Sequence, residues 1–124
     1  MHIALWILQA LLALVFIGAG LNKLARPKPA VIPAAMAWMN DFGASQIRLI
    51  GLAEVLGGLG LILPAALGIL PWLTPLAALG LALLMLGAVN VHAKRRESTV
   101  PTIVLAVLAL LIFIGRFWIA PLSA

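Results

Sequence analysis

The chain has 124 residues, 65% of them hydrophobic and 9% charged, with no cysteine and a formal net charge of +5. So little polar surface cannot clothe a water-soluble domain, and a single membrane domain over residues 1–124 is expected. The missing thiols exclude iron–sulfur and zinc-thiolate sites and any disulfide chemistry of the chain's own, while the basic excess lies at the ends of apolar stretches, a pattern of topology signals and lipid-phosphate contacts that speaks against nucleic acid.

The first apolar stretch runs from about Ile3 to Leu24, long enough for a bilayer, which takes about 20 such residues. It ends where Lys23, Arg26, Pro27 and Pro29 break the pattern. Only His2 precedes it, where a secretory signal would carry positive charge, so a retained helix is expected. Residues 25–45 form a long connection in which Ala34 to Phe42 has the makings of a short helix along the membrane surface. The second span runs from about Gln46 to Leu63, with Ser45 as its N-cap and Pro64 as its stop. Pro71 opens a third from about Trp72 to His92, and after a loop over 93–100, Pro101 opens a fourth that ends near Ile119. The expected fold class is all-α, a polytopic integral membrane protein built as a four-transmembrane-helix bundle.

Lys23, Arg26 and Lys28 follow the first span and Lys94, Arg95 and Arg96 the third, whereas the turn from Pro64 to Pro71 is uncharged. By the positive-inside rule both basic loops are cytoplasmic and both termini outside. Arg48 adds to the inner side, and Arg116 stands toward the outer. Trp72 and Trp118 then fall at the outer ends and Trp38 near the inner face, where headgroups hold amphipathic rings.

Glu54 is the one acidic residue inside the four spans, and a carboxylate in hydrocarbon is costly enough that it normally has a partner and a function. Ile47, Gly51, Glu54, Gly58 and Leu61 share a stripe, so small residues flank the carboxylate and let a neighbouring helix approach. Gln9, Ala13, Phe16, Gly20 and Lys23 form the matching stripe of the first span, and Thr102, Leu105, Ala109, Phe113 and Arg116 that of the fourth. Gly20, Gly51 and Gly58 are the expected packing positions. At about 1.5 Å of rise per residue, Glu54 stands about 12 Å above the inner end of its helix and Arg116 about 10 Å higher. A long arginine reaching down or Lys23 reaching up would meet the carboxylate. Arg116 is the preferred partner, with Asn22, Asn90 and Gln9 completing its hydrogen bonds. His92, at the inner end of the third span, is the last candidate, and His2 is given no role. The arrangement is either a lock on helix register or a binding or proton-handling site.

Taken in order, Gly18-Ala19-Gly20-Leu21-Asn22-Lys23-Leu24, the run from Arg48 to Leu61, Leu73-Thr74-Pro75-Leu76-Ala77-Ala78, Gly87 to His92 and the closing Gly115-Arg116-Phe117 resemble the DoxX-like family of four-helix bacterial inner-membrane proteins. The resemblance implies a bundle in the bacterial inner (plasma) membrane with its polar residues gathered at one internal site. It also implies a role as subunit or accessory of a redox or stress-related membrane complex, binding a quinone or other lipophilic molecule near Glu54 beside a redox partner protein. The family's disulfide-handling branch does not fit a chain without cysteine. Two alternatives stand beside this reading. One is a small proton-coupled transporter, although small multidrug-resistance proteins carry their glutamate in the first span, where this chain has Gln9. The other is a ligand-free scaffold or assembly factor. An independent enzyme is not expected, since no nucleotide loop, metal-ligand cluster or nucleophile–base pair is present. Gly57 and Gly60 leave a second packing face and with it a homo-oligomer open.

Overall fold

The computed structural model describes residues 2–25, 42–96, 98–119 and 121. Four helices carry the chain: α1 (His2–Ala25), α2 (Ala44–Leu67), α3 (Leu73–Lys94) and α4 (Val100–Ile114), the last passing directly into a π-helical turn over Gly115–Ile119. No strand occurs among the described residues. The shortest span, α4 with its π turn, has 20 residues, or about 30 Å at 1.5 Å each, which matches the hydrocarbon thickness of a bilayer. All four are long and apolar enough to cross a membrane, and the chain is a multi-pass membrane protein.

The packing fits a lipid solvent. Leu12, Ala13 and Phe16 of α1, Leu61 of α2, Ala78, Leu81, Ala82 and Met85 of α3, and Ala106, Ala109 and Ile112 of α4 make one buried core. The outward faces are equally apolar, with Ile3 75%, Leu14 71% and Leu49 66% exposed. In water such a surface would aggregate; in a bilayer it is the face that meets the acyl chains, and the lipids are its partners.

Two helix ends differ from the sequence reading. The N-cap of α2 is Gly43, not Ser45: the Gln46 side chain accepts the Gly43 N–H at 2.8 Å, and the Gly43 carbonyl accepts the Ile47 N–H at 3.1 Å. Pro64 does not stop α2 but lies inside it, and the helix runs on to Leu67 and ends at Gly68, whose φ of 65° is a left-handed cap that suits glycine. A proline inside a helix removes the N–H that would have bonded the carbonyl four residues earlier. Here that carbonyl is Gly60, and the Thr74 hydroxyl of α3 donates to it at 3.0 Å. A neighbouring helix thus supplies the missing donor, which is how membrane helices carry internal prolines. Pro101 sits in the first turn of α4, as expected. The surface helix expected over Ala34 to Phe42 lies outside the described residues except for Phe42, a bend, and Trp38 lies outside them as well.

Candidate functional site

The site begins at the crossing of α1 and α2. A Cβ on Gly20 would stand 2.5 Å from the Gly51 carbonyl oxygen, and one on Gly51 would stand 2.8 Å from the Gly20 oxygen and 2.8 Å from Lys23 Cβ. The two backbones therefore touch where only glycine fits. Gly58 faces Ala13 and Ile17 further along, so the partner number falls as the α2 number rises and the helices are antiparallel. Lys23 and Glu54 each lie three residues after the crossing glycine of their own helix. Side chains on a helix lean toward its N-terminus; in an antiparallel pair that inclines Lys23 and Glu54 in opposite directions, and from these positions toward each other. Lys23 Nζ lies 2.6 Å from Glu54 Oε1, with 13% and 4% of the respective side chains exposed. Oε1 is fully buried in this ion pair.

This pair lines a cavity of about 440 Å³ inside the bundle, reached by all four helices. Its wall is apolar over most of its area, from Ala19, Ile50, Met85, Ala88, Val91 and Leu105, and is completed by Phe42, Thr102 and His92. The Thr102 hydroxyl donates to the Thr99 carbonyl at 2.9 Å, leaving its lone pairs as acceptors. A mostly apolar chamber with a few convergent polar groups is the usual form of a small-molecule site, whose volume is roughly 300–1,000 Å³.

Arg116 does not meet Glu54. Its Nε donates to Gln9 Oε1 at 2.6 Å, Nη1 lies 2.8 Å from His2 Nδ1, and Nη2 reaches the His2 carbonyl at 3.4 Å. The guanidinium carbon also stands 6.0 Å from the Trp6 ring centroid. A guanidinium has only donors, so His2 Nδ1 is the acceptor in this contact. Gln9 turns its other end to α2, where Nε2 donates to the Leu61 carbonyl at 2.6 Å. Gln9 and Lys23 are 14 residues apart on α1, about 21 Å at 1.5 Å each, so the polar residues form two clusters at opposite ends of the bundle. The expected Glu54–Arg116 contact fails for that reason: Gln9 engages the guanidinium at one end of the bundle, and Lys23 has already filled the place at Glu54 toward the other.

Of the residues singled out from sequence, Glu54, Lys23 and His92 meet at the cavity, Gln9 and Arg116 meet elsewhere, and Asn22 and Asn90 face outward. Gly20, Gly51 and Gly58 are all buried at the α1–α2 contact. Thr74, Trp6 and Phe42 were not singled out, and His2, passed over as a terminal residue, is a direct partner of Arg116. The lean of side chains on antiparallel helices was the one signal able to favour Lys23 over Arg116; nothing in the sequence pointed to His2. Among the described residues no cluster of three or more acidic, histidine or cysteine side chains could hold a metal ion.

No curated protein and no solved structure matches the chain. A family model does match, over residues 7–115, a stretch that holds Gln9, Lys23, Glu54 and His92 and stops one residue short of Arg116. With the family's pattern spread across all four spans, the chain belongs to the DoxX-like family.

Proposed function

We propose that this membrane protein binds a quinone, or another lipid-soluble ring with carbonyl or phenol oxygens, in the cavity beside Glu54 and Lys23, and serves as subunit or accessory of a membrane redox complex. The observation that carries this reading is a chamber of about 440 Å³ whose apolar wall meets the buried Lys23–Glu54 ion pair. Lys23 offers a donor to a quinone carbonyl, and Glu54 offers an acceptor to the hydroxyl of the reduced ring, so the pair suits both redox forms. Lys23 thereby takes the role that the sequence had suggested for Arg116. Reduction of the ring takes up two electrons and two protons; a partner redox protein supplies the electrons, and this chain binds and orients the ring. The basic residues near the cavity support a position on the cytoplasmic side of a bacterial inner membrane, with both termini outside.

The test is mass spectrometry of small molecules co-purified with gently solubilised protein. Wild type should carry a quinone near one per chain over an empty-membrane control. Glu54→Gln should lose it, and so should Ala88→Phe, which fills the chamber and leaves the ion pair in place. Absence of any enriched ring compound from wild type would refute the reading. The close approach of Gly20 to Gly51 beside the ion pair favours one other reading, a ligand-free scaffold in which Lys23 and Glu54 only lock α1 on α2; it predicts no bound ring in any variant.

A further inference from the structure

Arg116 is 2% exposed and is one of the five residues of the π-helical turn, a rare form of helix that is frequent at functional positions. Three of its contacts go to groups without charge. These are Gln9 Oε1 at 2.6 Å, the His2 carbonyl at 3.4 Å and His2 Nδ1 at 2.8 Å, the last an acceptor only while that nitrogen carries no proton. Leu5, itself buried, packs beside them, and a Cβ on Gly115 would stand 2.6 Å from its side chain. The first turns of α1 therefore lie directly against the start of the π turn.

The two partners of the His2–Arg116 contact answer a change of pH differently. A guanidinium stays charged at every pH a protein meets, whereas histidine side chains change charge between about pH 5 and 8. A proton on Nδ1 removes the acceptor and sets a second positive charge 2.8 Å from the first. His2 is exposed, so protons reach it directly, and its protonated ring has water or headgroups to turn to. No side-chain carboxylate of the packed elements offsets the repulsion. Apart from the chain's own ends, residues 3–22, 55–91, 98–115 and 117–124 contain no charged or titratable side chain, and they include the parts of α1, α2, α3, α4 and the π turn that pack at this end. The ionisable side chains of α1, α2 and α3 other than His2 lie toward the opposite end. Among the described residues, His2 is thus the titratable side chain that faces Arg116.

We infer that the His2–Arg116 contact is a proton-operated latch. With the ring neutral it ties the first turns of α1 to the π turn, and protonation of His2, from the side of the membrane that this end faces, releases them. The sign follows from the contact, which needs the neutral ring: it is made at higher pH and lost as pH falls. Gln9 limits the opening, because it holds Arg116 with one end of its amide and the Leu61 carbonyl with the other, so release is confined to the part of α1 before it, about two turns. The latch is independent of what the chamber at Glu54 binds.

The chain has no cysteine, so spin labels attach only where cysteines are introduced. Ile3→Cys on α1 and Ile119→Cys at the end of the π turn, 75% and 59% exposed, carry the pair, and pulsed electron resonance in nanodiscs reads the distance between them at pH 8 and pH 5. In this background His2→Asn keeps an acceptor bonded to Cγ, as Nδ1 is, but one that takes no proton, while His2→Lys holds a positive charge at both pH values. With His2 in place the pair should give one narrow distance at pH 8 and gain a longer one at pH 5, the ratio of open to closed rising about tenfold, which corresponds to about 1.4 kcal/mol. His2→Asn should keep the narrow distance at both pH values, and His2→Lys should show the longer one at both. Equal distributions at the two pH values with His2 present overturn the latch, and a broad distribution already at pH 8 refutes the contact itself. A pH response that persists in His2→Asn overturns it in favour of another titrating group. A closed state in His2→Lys, or an open one in His2→Asn at pH 8, does so by showing that the charge or the acceptor at residue 2 is not what closes this end.

Discussion

Replacing Lys23 and Glu54 by methionine, singly and together, isolates the energy of the ion pair. At 2.6 Å and an effective dielectric near 20, the two charges attract by about 6 kcal/mol, and burying them costs several kcal/mol each. The intact pair therefore contributes little net stability, and the loss comes from stranding one member. In Lys23→Met the stranded carboxylate can always escape by taking up a proton. At pH 7 the penalty is thus capped at about 3.7 kcal/mol, the cost of protonating an ordinary glutamate. In Glu54→Met the corresponding cap for lysine is about 4.6 kcal/mol; the long Lys23 stem, 13% exposed, can also swing its ammonium toward the headgroups and lower it. Each single variant should lose about 3 kcal/mol, and the double variant, with two apolar chains of similar length, should lie within about 1 kcal/mol of wild type. The coupling is then about 5 kcal/mol or more, above the usual range for contacting residues, which ends at about 3 kcal/mol. Reversible unfolding in mixed micelles measures all four corners of the cycle. Additive effects, or single losses below about 1 kcal/mol, would show that water in the chamber solvates the two groups separately, and the picture of a buried, mutually dependent pair would have to be given up.

Two further outcomes follow from the other polar contacts. Thr74→Val removes the donor to the Gly60 carbonyl and should cost about 1 kcal/mol, within the spread for hydrogen bonds between membrane helices; in a Pro64→Ala background, where residue 64 regains its N–H, thermal unfolding should show the same change to be nearly harmless. Arg116→Met strands the Gln9 oxygen and should cost about 2 kcal/mol, and Arg116→Lys should recover little of it because an ammonium cannot reproduce the fork that reaches Gln9 and His2 together; full recovery with lysine in the same assay would contradict the contact geometry.

The number of spans and their approximate limits were legible because a bilayer admits few solutions: a run of about 20 apolar residues must be helical to satisfy its own backbone. The packing face of α2 was legible for a similar reason, since Ile47, Gly51, Glu54, Gly58 and Leu61 fall on one stripe and all are buried. Pro64 was misread because a proline removes one donor without fixing what replaces it; whether the helix ends or continues depends on a hydroxyl on α3 that no local pattern reveals. The partner of Glu54 was misread on depth. Residue counting placed Arg116 and Lys23 at comparable reach, whereas the direction of lean and the Gly20–Gly51 contact bring Lys23 to the carboxylate. The Arg116–Gln9 and Arg116–His2 contacts join the two ends of the chain, 107 and 114 residues apart, a separation at which periodicity carries no information.

The two polar clusters also differ in kind, and the difference supports the ligand site proposed for one of them. At the end that holds His2 and Arg116, Gln9 uses both of its termini, one on Arg116 and one on the Leu61 carbonyl, while Thr74 meets the Gly60 carbonyl beside them. Groups so fully engaged with one another fix how α1, α2, α3 and the π turn sit, and a ligand there would have to break bonds before it made any. At the opposite end, Glu54 is paired with Lys23 beside a mostly apolar chamber of about 440 Å³. A ring entering this chamber meets an apolar wall and a charged pair without first having to break a network of the kind that Gln9 makes, which supports the proposed site.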